Sequence, residues 1–115
     1  MNAYWMVRCH VTNTEIYSDY IQLAGPAIEK HGGRFLVRGG KQIEVEGEGY
    51  ERTVLVEFDS LEQAKACYQS EDYQEAYCIL QLAADRLVVM VDGLNSAYAK
   101  FRTKTDSLHE SLRCV

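Results

Sequence analysis

Residues 31–40 read HGGRFLVRGG, two glycine pairs bracketing a short apolar run with an arginine at each end. Glycine tolerates the left-handed backbone that stops a helix. His31-Gly32-Gly33 therefore predicts a helix end, with His31 set to meet the last carbonyls, and the apolar run is a strand entered through that cap. Alternation puts Phe35 and Val37 on one side of the strand and Arg34, Leu36 and Arg38 on the other. What the second side faces depends on the elements before and after it.

Before it, Tyr4 to Val11 alternates, with Trp5, Val7, Cys9 and Val11 against Tyr4, Met6, Arg8 and His10. This is a strand with one apolar and one mixed face. Asn13 or Thr12 supplies a helix cap, and Glu15 sits near the exposed amides. Tyr17, Tyr20, Ile21, Ala24, Ala27 and Ile28 then keep helical spacing. Pro26 falls inside that pattern and predicts a bend or break near residues 24–26.

After it, residues 39–49 are glycine-rich and acidic and read as a long hairpin connection, in which Ile43 and Val45 can extend an edge strand. Arg52 to Phe58 is a third strand, with Val54, Val56 and Phe58 opposite Thr53, Leu55 and Glu57. Ser60-Leu61-Glu62-Gln63 is a capping-box pattern. The helix it opens buries Ala64, Cys67 and Tyr68, a further short helix follows in SEDYQEAYCIL, and Leu87 to Val91 is the fourth strand. The order β-α-β-β-α-β predicts an α+β, ferredoxin-like domain over residues 1–93, with both helical arms on one face of a four-stranded antiparallel sheet.

The covered face should be the more apolar one: Trp5, Val7, Cys9, Phe35, Val37, Val54, Val56 and Phe58. The other would carry Tyr4, Met6, Arg8, His10, Leu36, Arg38, Thr53 and Leu55, with Glu57 beside them. That set is too apolar for water and too charged for a dry core. Pairing two such faces across a two-fold axis resolves the conflict and leaves a cavity lined by the charges. The expectation is a homodimer holding a small organic molecule there, with Tyr4, Met6, Leu36, Leu55, Arg8 and Arg38 as ligand-binding residues. Two roles stay open for the charges. They can be ion pairs that fix the dimer's register, such as Arg8 or Arg38 with Glu57. Alternatively they form an anion-binding or acid–base site, with His10 or Glu57 moving the proton. Arg34, beside the glycine cap, reads as solvated, and Tyr17, Tyr20, Tyr68 and Tyr73 as helix-to-sheet packing with hydroxyls reaching polar partners.

Composition limits the alternatives. The 115 residues fit one domain, and a net charge of −5 disfavours a nucleic-acid surface. Four cysteines lie apart with no C-x-x-C and no two histidines share ligand spacing, so neither a metal site nor a cofactor is expected. No apolar run is long enough for a membrane, and MNAYWMVRCHV is not built like a signal peptide. A cytoplasmic protein with free thiols is expected, Cys114 being the most exposed. No phosphate loop or nucleophile elbow is present. Residues 93–115 carry four basic and two acidic side chains, +2 against −7 for residues 1–92. Residues 94–115 read as an extension with helical spacing of Leu94, Tyr98 and Phe101, either a frayed tail or an arm that docks on its own or a partner subunit.

The stretches AYWMVRCHVTNTEIYSDYIQLAGPAIEKHGGRFLVRGG, EGYERTVLVEFDSLEQAKACYQSEDYQ and RLVVMVDG together resemble the domain of unknown function 1330 family. The resemblance spans about residues 3 to 93 and implies a ferredoxin-like domain assembling as a dimeric α/β barrel. That superfamily includes cofactor-free monooxygenases and isomerases as well as members without known activity, which implies one of those reactions or a non-catalytic structural or ligand-sensing dimer. The chain departs from the family pattern at Asn13-Thr14, usually Asp-Pro, and at Glu71-Asp72, where Pro-Glu is usual. Tyr77 and Leu80 replace a lysine and an arginine, so any anion site built on those two positions is incomplete here.

Overall fold

The computed structural model of the chain describes residues 1–94; the expectations for the remainder of the C-terminal arm, Cys114 included, lie outside the described residues. Seven elements follow in order: β1 (Ala3–Val11), α1 (Thr14–Lys30), β2 (Arg34–Arg38), β3 (Arg52–Phe58), α2 (Leu61–Gln69), α3 (Glu71–Leu80) and β4 (Ala84–Asp92). The sheet order is β2-β3-β1-β4 and every neighbouring pair is antiparallel. This is the ferredoxin-like α+β arrangement, with the second helical arm divided in two.

Local chemistry sets the helix ends. The Asn13 side chain accepts from the Ile16 N–H at 3.0 Å and caps α1. The Ser60 hydroxyl accepts from the Gln63 N–H at 3.1 Å and caps α2. Gln63 closes its half of the box on the Asp59 N–H at 3.0 Å and also donates to the His31 carbonyl at 3.2 Å, tying the start of α2 to the end of α1. Gly32, at φ +86, leaves room for that side chain. Ser70 accepts from the Tyr73 N–H and donates to the Cys67 carbonyl at 2.6 Å, ending α2 and starting α3.

Three expectations are corrected. Helix α1 does not break at Pro26 but runs on to Lys30. Pro26 lies on the exposed side, where water can satisfy the carbonyl it leaves free, while buried Ala24, Ala27 and Ile28 hold the last turns on the sheet. Ile43 and Val45 form no edge strand and stand 85% and 86% exposed. Gln42 instead anchors the loop across its base, donating to the Tyr50 carbonyl at 2.9 Å and accepting from the Thr53 hydroxyl at 2.6 Å.

The third correction decides where Arg38 goes. Phe35 pairs with Val56, but Val37 pairs with Leu55 and Arg38 with Val54, so Leu36 is an extra residue in the strand. A bulge of one residue inverts the alternation beyond it. Val37 therefore turns to the helix-free face, and Arg38 turns under α1 beside Val54.

The core lies between helices and sheet. Trp5, Tyr73, Phe58, Val56, Cys9 and Cys67 are its largest fully buried side chains. The Trp5 ring meets Phe58, Tyr68 and Tyr73 at centroid distances of 5.1 to 5.8 Å, and its indole N–H donates to the Ala64 carbonyl at 3.1 Å. On the opposite face Met6, Val37, Leu87, Val89 and Val91 remain exposed. With half-buried Leu55, Arg8 and Thr53, several of them line an apolar groove of about 400 Å³.

Candidate functional site

The charged residues of the helix-free face do not converge. Glu57 accepts from Arg34 Nε at 3.0 Å, Asn2 at 2.9 Å and the Tyr4 hydroxyl at 3.3 Å. Arg34 also donates to Asp59 at 3.0 Å, so it is ion-paired as well as exposed to water, and it occupies the carboxylate foreseen for Arg8 or Arg38. The hydrogen bond from Arg34 holds the Glu57 carboxyl below its ordinary pKa, which disfavours it as a proton acceptor near neutrality. His10 Nδ1 lies 2.8 Å from Glu51 Oε1 at the other end of β1. Tyr4, opposite Glu57, and His10 are six residues apart, about 20 Å along a strand. Within one protomer His10 and Glu57 cannot serve one reacting atom. Arg8 donates to the Tyr50 carbonyl at 3.3 Å under the 39–51 loop, and its Nε is buried without a hydrogen-bond partner among the described residues. Met6 and Leu55 are on this face, Leu36 is exposed at the bulge, and Arg38 is absent from the face.

Arg38 instead joins a cleft between α1 and the sheet. Its walls include Trp5, Val7, Tyr17, Tyr20, Ala24, Gly25, Phe35, Val54 and Val56, and three guanidinium groups reach it, from Arg38, Arg52 and Arg86. Arg38 stacks over the Phe35 ring, 4.0 Å from its centroid, and its tip packs against the bare Cα of Gly25. Arg52 lies over Gly39, whose φ is +69, and its Nε donates to the Tyr17 hydroxyl at 2.9 Å. Arg86 donates to the Tyr20 hydroxyl at 3.2 Å and to the Tyr73 hydroxyl at 3.0 Å, and these two hydroxyls share a hydrogen bond of 2.8 Å. Among the described residues no carboxylate pairs with Arg38, Arg52 or Arg86, and none lines the cleft.

Burial opposes the Arg86 charge, yet its neighbours Tyr20 and Tyr73 outweigh that and hold its pKa above the ordinary value. Burial pushes the Tyr20 and Tyr17 hydroxyls up, so both stay protonated. Cys9 is also raised by burial, and Cys67 is pushed up to about 12, so neither is a ready nucleophile. The cleft thus offers permanent positive charge, neutral hydroxyl donors and aromatic walls. Its cavity volume is about 40 Å³, room for water only, and Arg38 in its lining is an exposed side chain.

Tyr17, Tyr20 and Tyr73 pack between helix and sheet with their hydroxyls on polar partners, as their spacing predicts. Arg52 and Arg86 escape the sequence reading, although a signal exists. Arg52 is in phase with Val54 and Val56, and Arg86 with Val88 and Met90, which puts both on the covered face. Arg86 is lost because the fourth strand begins at Ala84 and not at Leu87. Tyr77 and Leu80, where a lysine and an arginine are usual in the resembling family, line a separate hollow on the far side of Arg86. Their replacement leaves the three arginines of the cleft in place. His31 caps α1 with its backbone N–H, while its Nε2 sits 3.0 Å from Asp72 of α3, not on helix-end carbonyls. Among the described residues no group of three or more candidate metal ligands gathers, and no helix is long and apolar enough to cross a membrane.

The fold has close relatives in shape. A protein of unknown function from Rhodopseudomonas palustris is 18% identical, with a TM-score of 0.69 over 82% of this chain and 83% of that one. A dimeric ferredoxin-like protein of unknown function from Jannaschia sp. is 17% identical, with a TM-score of 0.61 over 81% of this chain and 100% of that one. SnoaB, a cofactor-independent oxygenase from Streptomyces nogalater, is 8% identical, with a TM-score of 0.58 over 83% and 95%. At these identities the likeness is one of fold. Among curated proteins none matches the chain. The family model described as Domain of unknown function (DUF1330) matches residues 2–94, the whole of the sheet and its helices. The chain belongs to the DUF1330 family.

Proposed function

We propose that the protein is a homodimer, paired through its helix-free sheet face, that binds a small organic anion in the cleft between α1 and the sheet of each protomer. One observation carries the binding assignment: three guanidinium groups line one cleft in which no carboxylate balances them among the described residues. Arg52 and Arg86 are half-buried without counter-ions among the described residues, which is costly, and a bound anion is the simplest compensation. The aromatic walls favour a planar ligand. The reaction class that suits such a site is cofactor-free oxygenation or isomerisation, the former being the chemistry that names SnoaB. The pairing rests on the exposed apolar residues Met6, Val37, Leu87, Val89 and Val91. Dimeric neighbours of the same fold support self-association.

A second reading covers the helix-free charges alone. His10 with Glu51 and Glu57 with Arg34 are already paired, which favours a structural role for them at the rim of the interface. Isothermal titration with benzoate, salicylate and 4-nitrophenolate tests the cleft, which stands if any of the three binds. Saturable binding that weakens with salt and falls about ten-fold or more in Arg86→Gln is expected. Absence of saturable binding in the wild type would overturn the assignment.

A further inference from the structure

We propose that the Tyr20 hydroxyl is the hydrogen-bond donor to the ligand's anionic oxygen, which makes the cleft selective for phenolates and enolates. This rests on the cleft reading above and goes further by naming the atom and the oxygen it recognises. A proton count leads to it. Tyr20 and Tyr73 have one hydroxyl proton each. Arg86 donates to both oxygens, and one hydrogen bond joins them, in which either hydroxyl can donate. One proton closes that bond, so the other has no acceptor among the described residues. Tyr73 is wholly buried and lies behind the cleft wall, whereas Tyr20 is part of the wall. The arrangement that satisfies every group has Tyr73 donating to Tyr20 and Tyr20 donating into the cleft.

Tyr17 is held differently: its oxygen accepts from Arg52, and it stands outside the hydrogen bonds that join Arg86, Tyr20 and Tyr73. Arg86 accepts nothing and draws electron density from both phenol oxygens, so the Tyr20 proton becomes a stronger donor. Burial keeps that hydroxyl protonated, as a donor must be. The result is a preorganised dipole aimed at an oxygen on which negative charge resides, backed by the fixed charges of Arg38 and Arg52. A phenolate or enolate oxygen accepts one strong hydrogen bond in this geometry. A carboxylate spreads its charge over two oxygens, and the one hydroxyl can serve only one of them.

The probe is 4-nitrophenol, whose phenolate absorbs in the visible while the phenol does not. Bound to the wild-type protein it should ionise at a lower pH than in buffer, read as added phenolate absorbance on titration with protein. Tyr20→Phe should weaken phenolate binding about ten-fold or more and abolish the shift in ionisation. Tyr73→Phe, which leaves the Tyr20 proton free, should keep affinity within about three-fold, the structural control for loss of one buried hydroxyl. Salicylate provides the reference. If it binds while 4-nitrophenolate does not, or if Tyr20→Phe binds the phenolate as tightly as the wild type, the donor assignment is overturned and the cleft reading stands. If neither probe binds, both fall. A Tyr20→Phe protein that does not fold shifts the test to Tyr73→Phe. There a loss of phenolate binding as large as for Arg86→Gln would place the free proton on Tyr73 and overturn the proposal.

Discussion

Two arginine sites on the two faces of one sheet, Arg34 on one and Arg86 on the other, are held in opposite ways. On the helix-free side Arg34 lies between Glu57 and Asp59, two carboxylates at 3.0 Å, in contact with water. On the covered side Arg86 has only tyrosine hydroxyls for partners, and Arg38 and Arg52 share its cleft without a carboxylate among the described residues. A surface pair such as the first is worth little, because water already solvates both ions. A half-buried cation held by neutral dipoles stays short of charge compensation, and that deficit can be used for binding. Counter-charge and surroundings, not residue type, separate a structural arginine from a candidate ligand-binding one.

Substitutions on the two faces should therefore fail in different assays. The largest loss is expected from Trp5→Ala, which empties the centre of the core. Urea denaturation should register about 3–5 kcal/mol of lost stability. Val89→Glu on the helix-free face should leave the stability of the isolated protomer nearly unchanged. It should weaken self-association about a hundred-fold or more by burying an unpaired charge, as read by sedimentation velocity across a dilution series. An unchanged sedimentation coefficient in that variant would mean the free face is not where copies meet.

Arg86→Gln should cost salicylate binding about ten-fold or more while the protein stays folded and self-associated. Ser60→Ala, remote from both faces, should remove the α2 cap for about 1 kcal/mol and alter neither binding nor association.

The smallest effect concerns Asp72. The hydrogen bond from His31 is the main cause that depresses its carboxyl to about 2 from an ordinary 3.8. A depressed carboxylate contributes stability above its unfolded pKa and loses it as pH falls through the folded value. The melting-temperature gap between the wild type and His31→Ala should thus be full above about pH 4 and close as pH drops through about 2. A gap that widens on acidification would show that His31 acts through some other contact.

The single-residue bulge at Leu36 links the two faces, and it shows where reading the chain reaches its limit. Alternation places Trp5, Val7, Val54, Val56 and Phe58 on the covered side, and they are there, because side-chain direction in a regular strand has period two. The same rule misplaces Val37 and Arg38, since nothing local in FLVR signals an extra residue. The bulge becomes visible only once β3 supplies the partner register. The caps at Asn13 and Ser60 were legible because each acts within four residues of itself. Pro26 misled for the converse reason: its local penalty is real, but contacts of α1 with the sheet outweigh it.

By itself the sequence determined the element order, the helix starts, the apolar face of the sheet and, through its motifs, the family, all of which depend on near neighbours or on strict periodicity. Tertiary structure alone decided that Arg38 leaves the free face, that Glu57 belongs to Arg34, and that Arg52 and Arg86, 34 residues apart in the chain, meet Arg38 at one cleft. Those outcomes depend on strand register and on which groups remain without counter-charge after packing. Both are properties of distant segments brought together, and no window along the chain contains them.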